Sequence, residues 1–377
     1  MATFARLPSS DATALSLATD VQRADSGFVR LLLTQLRALT SSRSLARALI
    51  GVVLTLCAIG VALLARQGGC EVSKVDVLVL KAVVVTFWEE GGELQPWVDG
   101  IPLDEAAELP GDPAWRLMLN RERRIAAVCT GVGAIRAAAA VTTFLHADER
   151  FDMSKAVWLL AGVAGVDPAA HTVGSAIFAR FVVGGDLTRY VDPRERPTEW
   201  RFAWKALDKE TNQTFQLSAS LAERAHRAAL AAGPLPDAPA LQKLRKPYSA
   251  YWNAHQPPQI GFGDELATMM YWLGVETAEW ARFYVANQTD GRGAFATSAM
   301  EDEGVLRALL AGWAGGRCRH PEEAAVVLRT TSDFVLPGAN MSMEELIDGP
   351  AHRLGLASAI AAIRISGLAA LKALVDL

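Results

Sequence analysis

Residues 48–65 (ALIGVVLTLCAIGVALLA) contain no charged side chain, and Arg47 and Arg66 close the run on either side. At a helical rise of about 1.5 Å per residue such a run reaches roughly 27 Å, close to the hydrocarbon thickness of a bilayer. A core helix of a globular domain rarely extends this far without a polar position. A cleaved leader has a shorter apolar stretch and a shorter lead-in than the segment preceding Arg47. The run is therefore read as an uncleaved transmembrane anchor. Arg30, Arg37, Arg43 and Arg47 precede it, against Arg66 and Lys74 after it, which places the N-terminus in the cytoplasm. The remainder of the chain is expected outside the cytoplasm, in a periplasmic, extracellular or lumenal space. Later apolar runs are broken by charges within about a dozen residues, so a single membrane pass is expected.

This divides the chain into a disordered or amphipathic tail at 1–42, the anchor at 43–70, and a globular domain at 74–377 that is long enough for one large core. The formal net charge of -4 is too small and of the wrong sign for a nucleic-acid partner, which requires a concentrated Lys/Arg surface. Cys57, Cys70, Cys129 and Cys318 show no CxxC spacing, so neither a zinc site nor a disulfide framework is indicated.

Within the domain, short apolar β-branched runs alternate with helical patterns. Strands are expected at 75–80 (VDVLVL), around 126–129, at 156–166 and 171–183, and at 324–334. Helices are expected after Gly133, at 217–232, at 301–313 and at about 351–374. Such alternation implies an α/β domain with three layers and a central buried sheet.

Three motifs carry candidate chemistry. Thr130-Gly131-Val132-Gly133 lies between a strand and a helix, where glycines let backbone N–H groups approach an oxyanion; close strand-to-helix packing explains the same residues. Arg136 occupies the third-glycine position of a dinucleotide fingerprint, which excludes that motif. Met300-Glu301-Asp302-Glu303 opens a helix, and fits either a ligand contact or an acidic first turn favoured by the helix dipole. Arg329-Thr330-Thr331-Ser332-Asp333-Phe334 ends a hydrophobic strand, the position where α/β sheets gather ligands, although an N-cap role also fits Asp333.

The segments FDMSKAVWLLAGVAGVDP (151–168), TGVGAIRAAA (130–139), VGSAIFARFVVGGDLTRYVDPRE (173–195), NQTDG (287–291), AMEDEG (299–304) and RTTSDF (329–334) resemble the purine nucleoside permease (NUP) family in order and content, over nearly the whole chain from Lys74 onward. That family is in turn similar to the nucleoside phosphorylase superfamily. The resemblance implies a nucleoside-phosphorylase-like domain with purine nucleosides as partners. It implies that Thr130, Gly131 and Gly133 line the nucleophile site, that Met300 packs beneath the sugar, and that Glu301 accepts hydrogen bonds from its hydroxyls. Asp333, positioned by Ser332, would act at purine N7. Glu93, in a Glu-x-x-x-Trp pattern with Trp97, would orient a water or a substrate hydroxyl. Asp264 and Tyr271, in the stretch where the family has an aromatic pair, would contact substrate.

Cleavage of an N-glycosidic bond builds positive charge on the sugar and negative charge on the base. A protonated carboxyl at N7 and a carboxylate near the ribose answer those two needs. No organic cofactor or metal is implied. Inorganic phosphate is an open co-substrate, with Arg136 and Arg180 as candidates to hold it, and both phosphorolysis and hydrolysis remain open, as does homo-oligomerisation. The alternative function is nucleoside uptake without catalysis, which one helix from one chain does not by itself explain, since spanning backbone must lie in helices or a closed barrel.

Overall fold

The strands Ala82–Thr86 and Ile125–Cys129 are buried along their entire length and pair in parallel, as uninterrupted runs of small and β-branched residues do when both sheet faces are covered. They belong to a computed structural model that describes residues 77–375 apart from 148 and 208–213. The tail expected at 1–42 and the anchor expected at 43–70 lie outside the described residues.

The ten-residue strand Val157–Val166 organises the sheet. Along one edge it pairs in parallel with Ala325–Phe334 over its whole length. Along the other edge its first half pairs in parallel with Ala82–Thr86, while Gly165 and Val166 pair antiparallel with Phe295–Ala299. From there the sheet runs through Asp264–Ala267 and Phe181–Gly184 to Thr214–Gln216. In the opposite direction it runs through Ile125–Cys129 and Arg116–Asn120 to Glu105–Ala107. Ala325–Phe334 also pairs antiparallel with Ala176–Phe178, which pairs with Ile260–Phe262.

Alternate residues of the central strands feed two cores, one on each face. Val83, Val85, Trp158 and Leu160 pack with Val141 and Phe144 of the helix Ala134–Leu145 and with Leu306 and Leu309 of the helix Asp302–Ala314. Ala82, Val84, Leu159 and Leu328 pack with Ala225 and Ala229 of the helix Ala219–Ala231 and with Ile363, Ala370 and Leu371 of the C-terminal helices. The result is a helix–sheet–helix sandwich of the mixed α/β class.

Three expectations change. A fully buried strand lies later than the one expected at 75–80, at Ala82–Thr86, and among the described residues of the earlier run Leu78–Val79 forms a strand, a short parallel pairing with Phe151–Asp152 at the periphery. The reason is visible in the residues: Ala82-Val83-Val84-Val85 can bury both faces, whereas Val77 and Val79 remain exposed. The segment 171–183 splits into Ala176–Phe178 and Phe181–Gly184, and the break falls where the Asp264 carboxylate accepts the Arg180 and Phe181 N–H groups. Finally, Arg353–Val375 is a helix long and apolar enough to cross a membrane by length and composition, so the absence of such a run after Arg66 does not hold. Here Ala359, Ala362, Ile363, Ala370 and Leu371 are all fully buried against the domain, which is also how a core helix behaves.

The helices Ala134–Leu145 and Asp302–Ala314 meet at their first turns because Gly304 has no side chain: a Cβ there would lie 2.1 Å from the Ala134 carbonyl oxygen. The clash is with backbone, so it cannot be relieved by a side-chain rotation. Gly304→Ala is expected to lower stability by about 1–3 kcal/mol, as overpacking of a close contact does. Thermal or urea unfolding checks this, and an unchanged midpoint would show that the two helix starts are free to separate.

Candidate active site

Arg329 stands in the middle of the strand Ala325–Phe334, every residue of which is buried, and is itself 1% exposed. A guanidinium in that position must find its partners inside the protein. Its Nε donates to Asp302 Oδ2 at 2.9 Å and lies 3.3 Å from Glu265 Oε2. Nη2 donates to Glu301 Oε2 at 3.1 Å and Nη1 to the Val163 carbonyl at 3.0 Å. The Phe87 ring lies 4.4 Å from the guanidinium carbon. Gly162 makes this possible, since a Cβ there would come within 2.7 Å of Arg329 Nη1 and 2.9 Å of Glu93 Oε1.

Glu93 reaches the same region from the loop after the first central strand. Its Oε2 accepts the Phe87 and Trp88 N–H groups at 2.8 and 3.0 Å, and its Oε1 accepts the Val163 N–H at 2.7 Å. Val163 thus joins Glu93 through its N–H and Arg329 through its carbonyl. Burial pushes the Glu93 carboxyl up to about 7; Arg329 and the backbone donors oppose the rise and Glu301 adds to it.

Glu93, Glu265, Glu301 and Asp302 are all buried around this single guanidinium, and full ionisation of the group would leave a large uncompensated negative charge in the interior. The cluster therefore holds protons at neutral pH. Glu265 is the clearest holder: burial first, and then the neighbouring Asp302, drive it well above the usual carboxylate range. Glu301 is raised by burial against the pull of Arg329. It accepts the Gly133 N–H on Oε1 at 3.1 Å and the Met300 N–H on Oε2 at 3.3 Å.

At the other end, the ladder between Ala325–Phe334 and Val157–Val166 is irregular: Thr331 pairs with Ala164 and Asp333 with Gly165, leaving Ser332 as an extra residue. Such a bulge re-aims the side chains beside it. Ser332 Oγ donates to Asp333 Oδ1 at 2.6 Å and the Tyr271 hydroxyl donates to Oδ2 at 3.1 Å. Burial, reinforced by Asp333, drives the Tyr271 hydroxyl well above its ordinary range and keeps it a donor.

The two ends share one cavity of about 280 Å³, lined by Glu93, Tyr271, Met300, Glu301, Ser332 and Asp333 together with Phe87, Trp88, Val132, Val163, Ala164, Gly165, Ser298 and Ala299. Six of the expected site residues are thereby brought together. Thr130, Gly131 and Gly133 are not lining residues; only Val132 of that turn is. Thr130 is buried, with its hydroxyl directed at the Gly131 carbonyl, and Gly131 and Gly133 adopt φ of 79° and 98°. Gly133 at the helix start gives its N–H to Glu301, so this part of the turn holds the protein's own carboxylate in place of an external oxyanion.

Asp264 does not line the cavity. Its carboxylate accepts the Arg180, Phe181 and Ala294 N–H groups at 3.1, 2.8 and 2.6 Å and ties neighbouring strands together. Arg136 faces Asp112 at 3.7 Å, and Arg180 lies over the Phe262 ring and 3.9 Å from Glu223, so neither candidate phosphate ligand reaches the cavity. Arg329, Glu265 and Gly162 carry the site and were assigned no role from sequence. An arginine directly after the apolar run 325–328 was the signal that could have found the first.

A family model described as "Purine nucleoside permease (NUP)" matches residues 79–377. A Schizosaccharomyces pombe relative bearing the purine nucleoside permease name is 26% identical over 255 residues, covering 63% of this chain and 72% of the relative. A Candida albicans purine nucleoside permease is 23% identical over 280 residues, covering 70% and 68%. Among solved structures, a 5′-methylthioadenosine/S-adenosylhomocysteine nucleosidase from Neisseria meningitidis has 14% identity and a TM-score of 0.49, covering 78% of this chain and 99% of that one. Futalosine hydrolase from Helicobacter pylori has 18% identity and a TM-score of 0.46, covering 79% and 97%.

The raised Glu93 makes a pH prediction. Folding lifts its carboxyl from 4.5 to about 7, so the folded protein holds the proton more tightly than the unfolded chain. The resulting stabilisation is full below the unfolded value and is lost as pH rises through the folded one. Urea unfolding between about pH 5 and pH 8 should show stability falling with pH, and falling less steeply in Glu93→Gln. Equal slopes in the two proteins would contradict the assignment.

Proposed function

The chain belongs to the purine nucleoside permease family, and from that premise we propose that its domain is nucleoside-phosphorylase-like, binds a purine nucleoside in the Glu93–Asp333 cavity and hydrolyses the N-glycosidic bond. The observation that carries the proposal is the polarity of that cavity. At one end is a carboxyl oriented by two hydroxyl donors at a strand terminus; at the other, carboxyls are backed onto a buried guanidinium.

In this mechanism Asp333, protonated, gives its proton to N7 of the base as the glycosidic electron pair leaves with the purine. Oδ2 retains a second acceptor position, so Tyr271 can stay bonded while the proton points into the cavity. Glu301 accepts hydrogen bonds from the ribose hydroxyls and its negative charge favours the cationic sugar, with Met300 beneath the ring. Water attacks C1′ and Glu93 takes the water's proton; a carboxyl near 7 is matched to that task at neutral pH. Release of the proton from Glu93 to solvent and proton return to Asp333 from solvent close the cycle.

Water is preferred over phosphate because no Lys, Arg or His is among the described cavity-lining residues, which include Glu93, Glu301 and Asp333. A phosphate dianion would meet like charge there, and the adjacent helix start is already occupied by Glu301. The second reading, nucleoside uptake, is supported by the family's name and by the relatives that bear it. The same cavity would then bind without turnover, and the anchor proposed at 43–70 would hold the domain to an extracytoplasmic membrane face.

Two substitutions separate these readings. Asp333→Asn keeps size and much of the hydrogen bonding but has no proton to deliver, so release of free base from inosine should fall by about 10²–10⁴ while nucleoside affinity changes far less. Glu301→Ala should erase roughly 1–3 kcal/mol of preference for ribonucleosides over 2′-deoxynucleosides, the cost of an unpaired buried acceptor. Chromatography of products and calorimetry of binding read both. A parent protein that binds purine nucleosides and releases no base would establish the uptake reading, and unchanged discrimination in Glu301→Ala would remove the ribose contact.

A further inference from the structure

On the far side of residues 268–272 from the nucleoside cavity lies a second, smaller pocket of about 190 Å³ whose walls include the rings of Tyr190, Trp204, Trp272 and Trp280, with Asp186 among the lining residues. Three of the rings form a connected group: Tyr190 and Trp204 have centroids 4.8 Å apart, and Trp204 and Trp280 stack at 5.5 Å. Trp272 and Trp280 are 6% and 3% exposed, whereas Tyr190 is 57% exposed and opens the pocket to solvent. An aromatic cluster that served only to fill the core would have no use for an open volume with a carboxylate on its wall.

The carboxylate is electrostatically uncompensated. Asp186 makes no ion pair among the described residues, and its two oxygens share one donor, the Met269 N–H, at 2.9 and 3.0 Å. Asp186 is exposed as a residue, and partial withdrawal from water raises its carboxyl above the usual range, with that single N–H acting against the rise. Glu303, itself bridged to Arg307, adds to the negative field. No Lys, Arg or His is among the described lining residues. Aromatic faces attract cations through their quadrupoles, most strongly where water is excluded, and a carboxylate beside them selects for charge.

We propose that this pocket binds a small organic cation, with a methylated ammonium group as the chemistry that four aromatic rings and one carboxylate recognise. The site is separate from the nucleoside cavity and the inference does not depend on catalysis there. The two share a wall: Thr268, Met270 and Trp272 line the aromatic pocket, and the intervening Tyr271 lines the nucleoside cavity, where it donates to Asp333.

The test is calorimetric titration of the full chain with choline, with tetramethylammonium, and with 3,3-dimethylbutan-1-ol, the uncharged isostere of choline. Both cations should bind saturably, and the neutral alcohol should bind weaker by about tenfold or more. Asp186→Asn keeps an acceptor for the Met269 N–H and should weaken choline binding by about tenfold. Tyr190→Ala, at the exposed mouth, should weaken it independently of any effect that Asp186 has on folding. Saturating inosine should leave choline bound. Equal affinity for the alcohol, indifference to both substitutions, absence of saturable cation binding, or displacement by inosine would each overturn the proposal.

Discussion

The architecture of the candidate site depends on one buried cation. Arg329 enters the interior on a strand buried along its whole length, and the surrounding structure is arranged to answer its charge: Glu301 and Asp302 from a helix start, Glu265 from another strand of the sheet, the Val163 carbonyl from the strand alongside. A buried ion pair is weak support for stability, because desolvation offsets much of the attraction. What it supplies is position. Glu301 is held by Arg329, Met300 and Gly133, and each of those contacts draws on a different element of the fold. Gly162 and Gly304 are the vacancies that let these elements approach.

The excess of carboxyls over guanidinium is equally informative. A cluster designed only for stability would balance its charges; this one keeps acids whose protonation is set by burial, with Glu93 poised near neutrality and Glu265 driven well above the usual carboxylate range. Groups of the same chemical type in adjacent environments can take different protonation states, which is how one site runs both acid and base steps. Asp333 is handled differently, by hydroxyl donors at a bulge in place of a buried cation. The cavity accordingly has two distinct ends, which suits a ligand with a base at one and a sugar at the other.

Much of this was legible in the chain. Ser332 and Asp333 were marked by their place at the end of an apolar strand, and Met300 and Glu301 by their place at a helix start; the sheet brings both together with Glu93 and Tyr271. What was not legible depended on three-dimensional pairing. Asp264 stood in a suggestive stretch, yet its carboxylate is consumed by three backbone N–H groups of strands distant in sequence. The Gly131–Gly133 turn had the right residues for an anion site, but the anion it meets is Glu301, 168 positions away in sequence from Gly133. Arg329 looked like one more residue of a motif, because its place after the apolar run 325–328 points to the interior without revealing that its whole side chain is enclosed. The first buried strand was misplaced because VDVLVL and AVVVT are both good strand sequences, and only packing decides which of them both layers cover.

The central claim is that a carboxyl at the base end, and a sugar end lined by Glu93 and Glu301 with no Lys, Arg or His among the described lining residues, make water the nucleophile in N-glycosidic cleavage. It is tested most directly by incubating the protein with inosine in ¹⁸O-enriched water containing phosphate and analysing the sugar product by mass spectrometry. The account predicts free ribose carrying a single ¹⁸O from solvent at C1, at a rate indifferent to phosphate. Ribose 1-phosphate as the product, or intact inosine recovered from a protein that binds it, would contradict the account.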